Sequence, residues 1–161
     1  MAVLTQSGRA ALAASLKEQP IHLAWGSGQS SWDSGGAPAE DTARTALYAE
    51  VGRVEALIKG FAVPDPDGEI ILPSGRFRQV PEPTPYLYLR FSFDFTDSSD
   101  AMIRELGVFV GTQAVEGLPA GQRYLLPSDV ADGGLLLAVE HIQTFNRSIS
   151  TRQVFEFVLS I

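Results

Sequence analysis

Along the ten positions from Tyr86 to Phe95, every second side chain is apolar and the side chains between them are mixed in polarity. Successive side chains of a β-strand point to opposite faces of the sheet, so one face of this segment is wholly apolar. Its members are Leu87, Leu89, Phe91, Phe93 and Phe95. The other face is mixed. Because such a strand must cover its apolar face with another layer, the pattern predicts a β-sheet with these five residues on the core side.

Turn-forming residues separate this strand from other predicted strands. Strands are predicted at Val54 to Val63 and Glu69 to Leu72, joined as a hairpin by the turn Pro64-Asp65-Pro66-Asp67-Gly68. The following segment, Pro73 to Pro85, contains four prolines and is interpreted as a loop, because proline cannot donate to a strand ladder. Further strands are predicted at Leu106–Val110, Leu135–Phe145 and Val154–Ile161.

The N-terminal third has helical patterns instead. A helix is predicted from Thr5, a suitable N-cap, to Lys17, and a second one from Asp41 to Val51. The fold class predicted is therefore α+β, with N-terminal helices packed on an antiparallel β-sheet or sandwich. A chain of 161 residues is expected to be a single domain over 1–161, with a helical part at 1–53 and a mainly β part at 54–161.

Composition narrows the classes of function. The formal net charge is −7 and the 12 basic residues are scattered, which argues against nucleic acid and against an anionic membrane surface as main partners. The chain has no cysteine, so disulfides, thiolate metal sites and cysteine nucleophiles are excluded. The N-terminus lacks a secretory-signal pattern, and no apolar run, including the five residues Leu135 to Val139, is long enough to span a membrane.

No motif of catalysis is present in the sequence. His22 and His141 lie on predicted strands without metal-ligand spacing, so a structural role is expected for both. The segment Trp25-Gly26-Ser27-Gly28 fits neither a nucleophile elbow nor a phosphate-binding loop. Carboxylates are plentiful, so a glycosidase pair of two carboxylates stays an open alternative without a motif that indicates one. We therefore predict a protein that is not an enzyme, with no catalytic, cofactor-binding or metal-binding residues.

Three residues are candidates for interface contacts. Trp32 lies in the loop-like stretch Gln29–Asp41, where it either packs back on the core or projects as an anchor for a partner. Phe77 lies in the proline-rich stretch after residue 73. Glu105 precedes an apolar run, and a carboxylate there needs a partner: a salt bridge, backbone N–H groups, or a residue across an interface.

Four short phrases occur in order along the chain: Leu4-Thr5-Gln6-Ser7-Gly8-Arg9-Ala10-Ala11-Leu12, Trp25-Gly26-Ser27-Gly28, Leu47-Tyr48-Ala49-Glu50-Val51-Gly52-Arg53 and Ile103-Arg104-Glu105-Leu106-Gly107-Val108-Phe109. Their order and spacing resemble the N-terminal module of phage tail-collar fibre proteins and related baseplate proteins of phage-like tails. The chain stops at Ile161, without the shaft and tip that follow this module in collar fibres, so either the attachment module alone or a baseplate component with a similar fold is expected.

This resemblance implies a structural component of a bacteriophage or phage-like tail or baseplate. It would act as an adaptor that attaches fibres or links tail proteins, in several symmetry-related copies, without nucleic acid or membrane insertion. The expected location is the virion tail, assembled in the host cytoplasm. Two alternatives stay open: a small glycan hydrolase carried on a tail, and a carbohydrate-binding sandwich module that stacks sugars on Trp25, Trp32, Tyr86 and Tyr88.

Overall fold

The computed structural model describes residues 1–98 and 100–161, and strands dominate it. Strands account for 45% of the chain and helical residues for 12%, so the protein is mostly β. In chain order the elements are α1 Gln6–Lys17, β1 Ile21–Gly26, α2 Trp32–Gly35, β2 Glu50–Glu55, β3 Ile58–Pro64, β4 Ile70–Leu72, β5 Gly75–Val80, β6 Tyr86–Phe93, β7 Met102–Val110, β8 Gln113–Ala114, β9 Tyr124–Leu125, the 3-10 helix Pro127–Asp129, β10 Val130–Asp132, β11 Leu135–Asn146 and β12 Gln153–Ser160.

The strands form two five-stranded sheets and one small ribbon. One sheet has the order β11-β7-β1-β2-β9, the other has the order β12-β6-β3-β5-β4, and β10 pairs with β8. The pairs β1–β7, β1–β2, β11–β7, β3–β6 and β3–β5 are antiparallel. Strands that are distant in sequence are neighbours in both sheets, so the fold depends on long-range pairing.

The residues group into two compact units, neither of which is continuous in sequence. The first comprises residues 1–19, 56–91 and 154–161, and the second comprises residues 20–55 and 92–153. The boundary at 91/92 falls inside strand β6. The expectation of a single domain over 1–161 stays a prediction, which calorimetry can test.

In the first unit, α1 begins as the sequence predicts. The Thr5 hydroxyl accepts a hydrogen bond from the Gly8 N–H (3.1 Å), which satisfies one of the free donors of the first turn. Ala13 is the buried residue of α1, and the Arg9 guanidinium donates to the Ile161 carbonyl oxygen (2.7 Å). No helix in the described part of the chain is long and apolar enough to cross a membrane.

The predicted second helix, Asp41 to Val51, is wrong. Residues 41–49 are irregular, β2 begins at Glu50, and α2 is a single turn. Leu47 packs against Ala24 and Phe109, while the residues after it pair with β1. Tertiary packing and strand pairing therefore override the local helical pattern. The α+β class, with N-terminal helices packed on an antiparallel sheet or sandwich, is corrected to a mostly β fold.

The predicted hairpin is also wrong, although its turn is present. The segment Val54–Val63 divides between β2 and β3, and β4 pairs with β5 rather than with β3. Strand β5 lies within the segment interpreted as a loop, since the prolines at 73, 81, 83 and 85 flank it without entering it. Proline content thus marked the ends of a strand.

The alternating segment forms strand β6, as predicted. Its apolar residues Leu87, Leu89, Phe91 and Phe93 have no solvent exposure. Phe95 is the exception, because it lies beyond the end of the strand and is 44% exposed. The mixed face is covered too, since Tyr88 and Ser92 are buried.

Candidate interaction site: a loop anchored on Glu105

Glu105 is the centre of a polar network in the second unit. It lies in strand β7 and is completely buried. Its Oε1 accepts hydrogen bonds from the backbone N–H of Tyr48 (2.6 Å) and of Ala49 (3.4 Å), and its Oε2 accepts one from Arg44 Nη1 (3.1 Å). A buried carboxylate is tolerated when it is paired and hydrogen-bonded in this way. Both contacts expected of a structural Glu105, a salt bridge and backbone N–H groups, are therefore present.

Arg44 connects this carboxylate to strand β11. Its Nη1 lies 3.3 Å from His141 Nε2, its Nη2 donates to the Ala46 carbonyl oxygen (2.6 Å), and its guanidinium lies 4.1 Å from the centre of the Tyr48 ring. The His141 Nδ1 lies 2.7 Å from the Pro38 carbonyl oxygen. A carbonyl only accepts, so Nδ1 carries the proton and Nε2 presents its lone pair to Arg44. These contacts give His141 a structural role.

A second ion pair anchors the start of the same loop. Arg104 forms a bidentate pair with the Asp33 carboxylate (2.9 and 2.7 Å) and donates to the Ser27 carbonyl oxygen (2.8 Å). The Thr144 hydroxyl donates to the same carboxylate (2.6 Å). The hydrogen bonds from Arg104 and Thr144 lower the pKa of Asp33 to about 2. Residues 27–49, called the anchored loop below, are thus tied to β7 and β11.

Trp32 packs back on the protein rather than projecting from it. Its side chain is 9% exposed, its ring meets Tyr48 edge-on at 5.2 Å between centres, and it lies 4.7 Å from the His141 ring. Gly28 makes this possible. It has a φ of +56°, and a Cβ there would come within 2.5 Å of Trp32 Cζ3.

Three of the four family-like phrases meet in this region. Gly26 lies opposite Glu105 across the β1–β7 ladder. Gly107 leaves room for Leu47, because a Cβ at Gly107 would lie 2.8 Å from Leu47 Cδ2. The phrase Leu4 to Leu12 is in the other unit, where Leu4 and Leu12 are exposed on and before α1.

Two arginines of the site were missed in the sequence analysis. One is Arg44, which has no distinctive neighbours in sequence. The other is Arg53, which ends the phrase Leu47 to Arg53 but whose contacts the sequence does not indicate. It pairs with Glu50 through two bonds of 2.7 Å, donates to Thr112 Oγ1 (2.7 Å), and stacks over the Phe109 ring at 4.2 Å. A buried arginine needs such partners, and the position of Arg53 inside one of the four family-like phrases was the available signal.

Phe77 lies apart from this network, in the other unit. It is buried in a cluster with Ala62, Ile70 and Tyr88. The structure therefore brings Trp32 and Glu105 into one site and places Phe77 elsewhere. The interface roles of all three residues stay predictions.

The surface beside the anchored loop has shallow depressions and no metal-type cluster. One depression of about 300 Å³ is lined by Glu40, Asp41, Thr42, Arg44 and residues 136–139. Burial and the nearby Glu40 raise the pKa of Glu140, while the backbone N–H of His141 lowers the pKa of Glu40. No group of three or more His, Asp or Glu side chains suited to a metal occurs among residues 1–98 and 100–161.

The ion pairs Glu105–Arg44 and Arg104–Asp33 fix the anchored loop on β7. The model of the family described as baseplate wedge 3 tail fiber network component matches residues 1–161. The class is thus a structural component of a phage baseplate and its tail-fibre network. The chain belongs to the baseplate wedge 3 tail fiber network component family.

The resemblance to phage baseplate and tail-fibre modules is therefore confirmed. Membership implies a component of the virion tail that interacts with other baseplate or tail-fibre components. No curated protein sequence matches the chain at a significant level.

Proposed function

We propose that this chain is an adaptor of the baseplate, which attaches tail fibres or links tail proteins and occurs in several symmetry-related copies. The observation that carries the proposal is the anchored loop. Two ion pairs with buried members, Glu105–Arg44 and Arg104–Asp33, hold it against β7. A loop that is already ordered loses less conformational entropy when a partner binds, so more of the contact energy becomes affinity.

The surface of the anchored loop offers an aromatic contact. Tyr48 is 51% exposed, and its ring is fixed between Arg44 and Trp32. Tyrosine and arginine are enriched among residues that dominate binding energy at protein interfaces. Trp32 and Glu105 then contribute to the interface from beneath, by holding Tyr48 and its neighbours in place. Phe77 supports a separate contact surface around β4 and β5.

We also propose that this protein is not an enzyme. Family membership as a baseplate component favours a protein that is not an enzyme. The carboxylates at the anchored loop have structural partners: Glu105 binds Arg44 and Asp33 binds Arg104. The chain is proposed to assemble into the virion tail in the host cytoplasm, with protein partners and with neither nucleic acid nor a membrane.

The carbohydrate-binding alternative loses its main support in the structure. Trp25, Trp32 and Tyr88, three of the four aromatic residues proposed to stack on sugars, are buried. A sugar can stack only on an aromatic face that it can reach. The glycan hydrolase alternative has no specific observation in its favour.

A complementation experiment tests the adaptor function. A phage that lacks this reading frame is propagated on cells that supply either the wild-type chain or the Glu105→Gln, Tyr48→Ala or Asp94→Asn variant. We expect wild-type chain in purified tails at a fixed multiple per particle, with fibres attached. Tyr48→Ala should fold normally yet leave tails with fewer fibres. Asp94→Asn, which alters an exposed ion pair with Arg152, should behave as wild type.

The proposal would be overturned by purified tails that lack the wild-type chain, or by tails that contain it and carry normal fibres with both Glu105→Gln and Tyr48→Ala. Turnover of peptidoglycan or glycans by the purified protein would contradict the part of the proposal that concerns catalysis.

A further inference from the structure

Strand β11 occupies the outer position of its sheet, and its register with β7 shifts between Leu136 and Ala138 and again between His141 and Phe145. It is 12 residues long and pairs with β7 on one side, and no strand of the described chain lies on its other side. Its first five residues are all apolar, and Glu140 is its one Asp, Glu, Lys or Arg. Proteins usually protect long edge strands with charge or proline, because unpaired backbone groups invite another strand.

A groove runs along this edge. The depression of about 300 Å³ beside the anchored loop is lined by four consecutive residues, 136–139, and by Glu40, Asp41, Thr42 and Arg44. Consecutive residues of a strand point their side chains to opposite faces. Four in a row along one depression therefore mean that it borders the backbone edge of β11 and not one face of the sheet.

The backbone N–H of His141 shows which amides of β11 face away from β7. The His141 N–H donates to the Glu40 carboxylate (3.1 Å) at the outer side of the strand. Register with β7 is regular from Val139 to His141. Because backbone direction repeats every two residues, the Val139 N–H points to the same outer side. Glu40 thus accepts the hydrogen bond from the His141 N–H that a partner strand would otherwise accept. The next outward N–H towards the start of β11 is that of Val139, which is available to a partner strand.

The charges around the groove indicate what kind of strand fits. Glu40, Asp41 and Glu140 lie at or beside it, while the positive charge of Arg44 is already paired with Glu105. The raised pKa of Glu140, caused by burial and by Glu40, agrees with this excess of negative charge. A second copy would bring like charges together in the groove, whereas Lys or Arg beside an apolar partner strand would be attracted.

We propose that the outer edge of β11, from Leu135 to Val139, accepts an extended apolar strand, flanked by Lys or Arg, from another baseplate or tail-fibre protein. The inference rests on the proposed adaptor function and names the kind of partner it takes. Main-chain hydrogen bonds to the edge would supply affinity, and the side chains beside the groove would select the sequence.

Hydrogen exchange measured by mass spectrometry tests the edge directly. Amides of the peptide that covers residues 136–140 are followed in the free protein and in purified tails. Exchange there should slow by about tenfold or more in tails, as expected for amides that gain strand partners. Amides of Phe91 and Phe93 in the buried strand β6 should be equally slow in both samples and serve as the internal control.

Two matched variants separate this edge from exposed apolar residues in general. Leu135 is 74% exposed at the start of β11, and Val154 is 44% exposed on β12, an edge strand of the other sheet that lies away from β4 and β5. Leu135→Lys places a positive charge where the basic partner must approach and should reduce incorporation into tails by about tenfold. Val154→Lys should be incorporated as wild type, and both variants should unfold at the wild-type urea midpoint.

Each remaining outcome counts against the inference in a different way. Equal exchange at residues 136–140 in free protein and tails, or equal incorporation of both variants, overturns it while leaving the adaptor function intact. Slow exchange in free protein that appears together with a doubled mass means that a second copy occupies the edge, which overturns the partner named above. Absence of wild-type chain from tails overturns the adaptor function and this inference together.

Discussion

Gly26 lies directly opposite Glu105 in the β1–β7 ladder, and the missing side chain of the glycine is what gives the carboxylate its place. A Cβ at Gly26 would come within 2.8 Å of Glu105 Oε1 and 3.0 Å of the Ala49 carbonyl oxygen. The loop backbone and the carboxylate therefore occupy space that any other residue at position 26 would take. The glycine and the glutamate act as one feature, which holds the anchored loop on the sheet.

The first prediction concerns that space. Gly26→Ala should lower the free energy of unfolding by about 1–3 kcal/mol, because both the carboxylate and a backbone oxygen must move to admit a methyl group. Gly35→Ala is the matched control: a Cβ there meets nothing within 4 Å, so the change should be neutral or slightly stabilising. Urea denaturation of both variants measures the difference, and a Gly26→Ala protein as stable as wild type would contradict the assigned role.

The second prediction concerns the buried ion pair. Glu105→Gln keeps the side-chain shape but leaves the guanidinium of Arg44, which is 12% exposed, without its counter-charge. Loss of one partner of a buried pair costs about 3–5 kcal/mol. The exposed pair Arg152–Asp94 provides the comparison, and Asp94→Asn should change stability by less than about 1 kcal/mol. Similar urea midpoints for the two variants would show that Glu105 is not an anchor.

The third prediction separates the buried from the exposed aromatic residues near the end of β6. Phe93 is fully buried and stacks on Trp25 at 3.6 Å between ring centres, whereas Phe95 is 44% exposed. Phe93→Ala should cost about 3–5 kcal/mol of stability, and Phe95→Ala should cost under about 1 kcal/mol. Thermal unfolding followed by circular dichroism distinguishes them. Equal shifts would mean that the end of the strand is wrongly placed.

The fourth prediction concerns pH and the Asp33–Arg104 pair. The pKa of Asp33 is lowered from 3.8 to about 2 in the folded protein. A lowered pKa means that the carboxylate stabilises the fold above about pH 4 and that this contribution is lost as the pH falls through about 2. Asp33→Asn should therefore unfold at lower urea than wild type at pH 6, and the gap should close towards pH 2. A gap that is independent of pH would contradict the ion pair.

The fifth prediction concerns domain organisation. The chain crosses between the two compact units four times, after Gln19, Glu55, Phe91 and Gln153. The third crossing falls within strand β6, so the two units share this strand and are expected to unfold together. We expect calorimetry to show one transition with equal calorimetric and van't Hoff enthalpies. Two resolved transitions would show that residues 1–161 behave as two domains.

Local chemistry was sufficient to predict some elements. Strand β6 follows from its two-residue alternation, and α1 follows from the Thr5 cap. The predicted helix at Asp41–Val51 failed because helical spacing of a few apolar residues is a weak preference, and Leu47 gains more by packing on Ala24 and Phe109. The proline-rich segment failed for a related reason. Proline is excluded from the interior of a ladder but not from its ends, and β5 fits between the prolines.

The site shows the same division between local and long-range information. By itself the sequence determined the phrases that contain Gly26, Glu105 and Gly107, the lack of motifs of catalysis, and the class of tail protein. Tertiary structure alone decided that Glu105 is satisfied by Arg44 and by loop N–H groups, that Trp32 packs inward, and that β11 lies at an edge. The physical reason is that these facts depend on which distant strands pair, and pairing is settled by packing across a whole sheet and not by the pattern of any one segment.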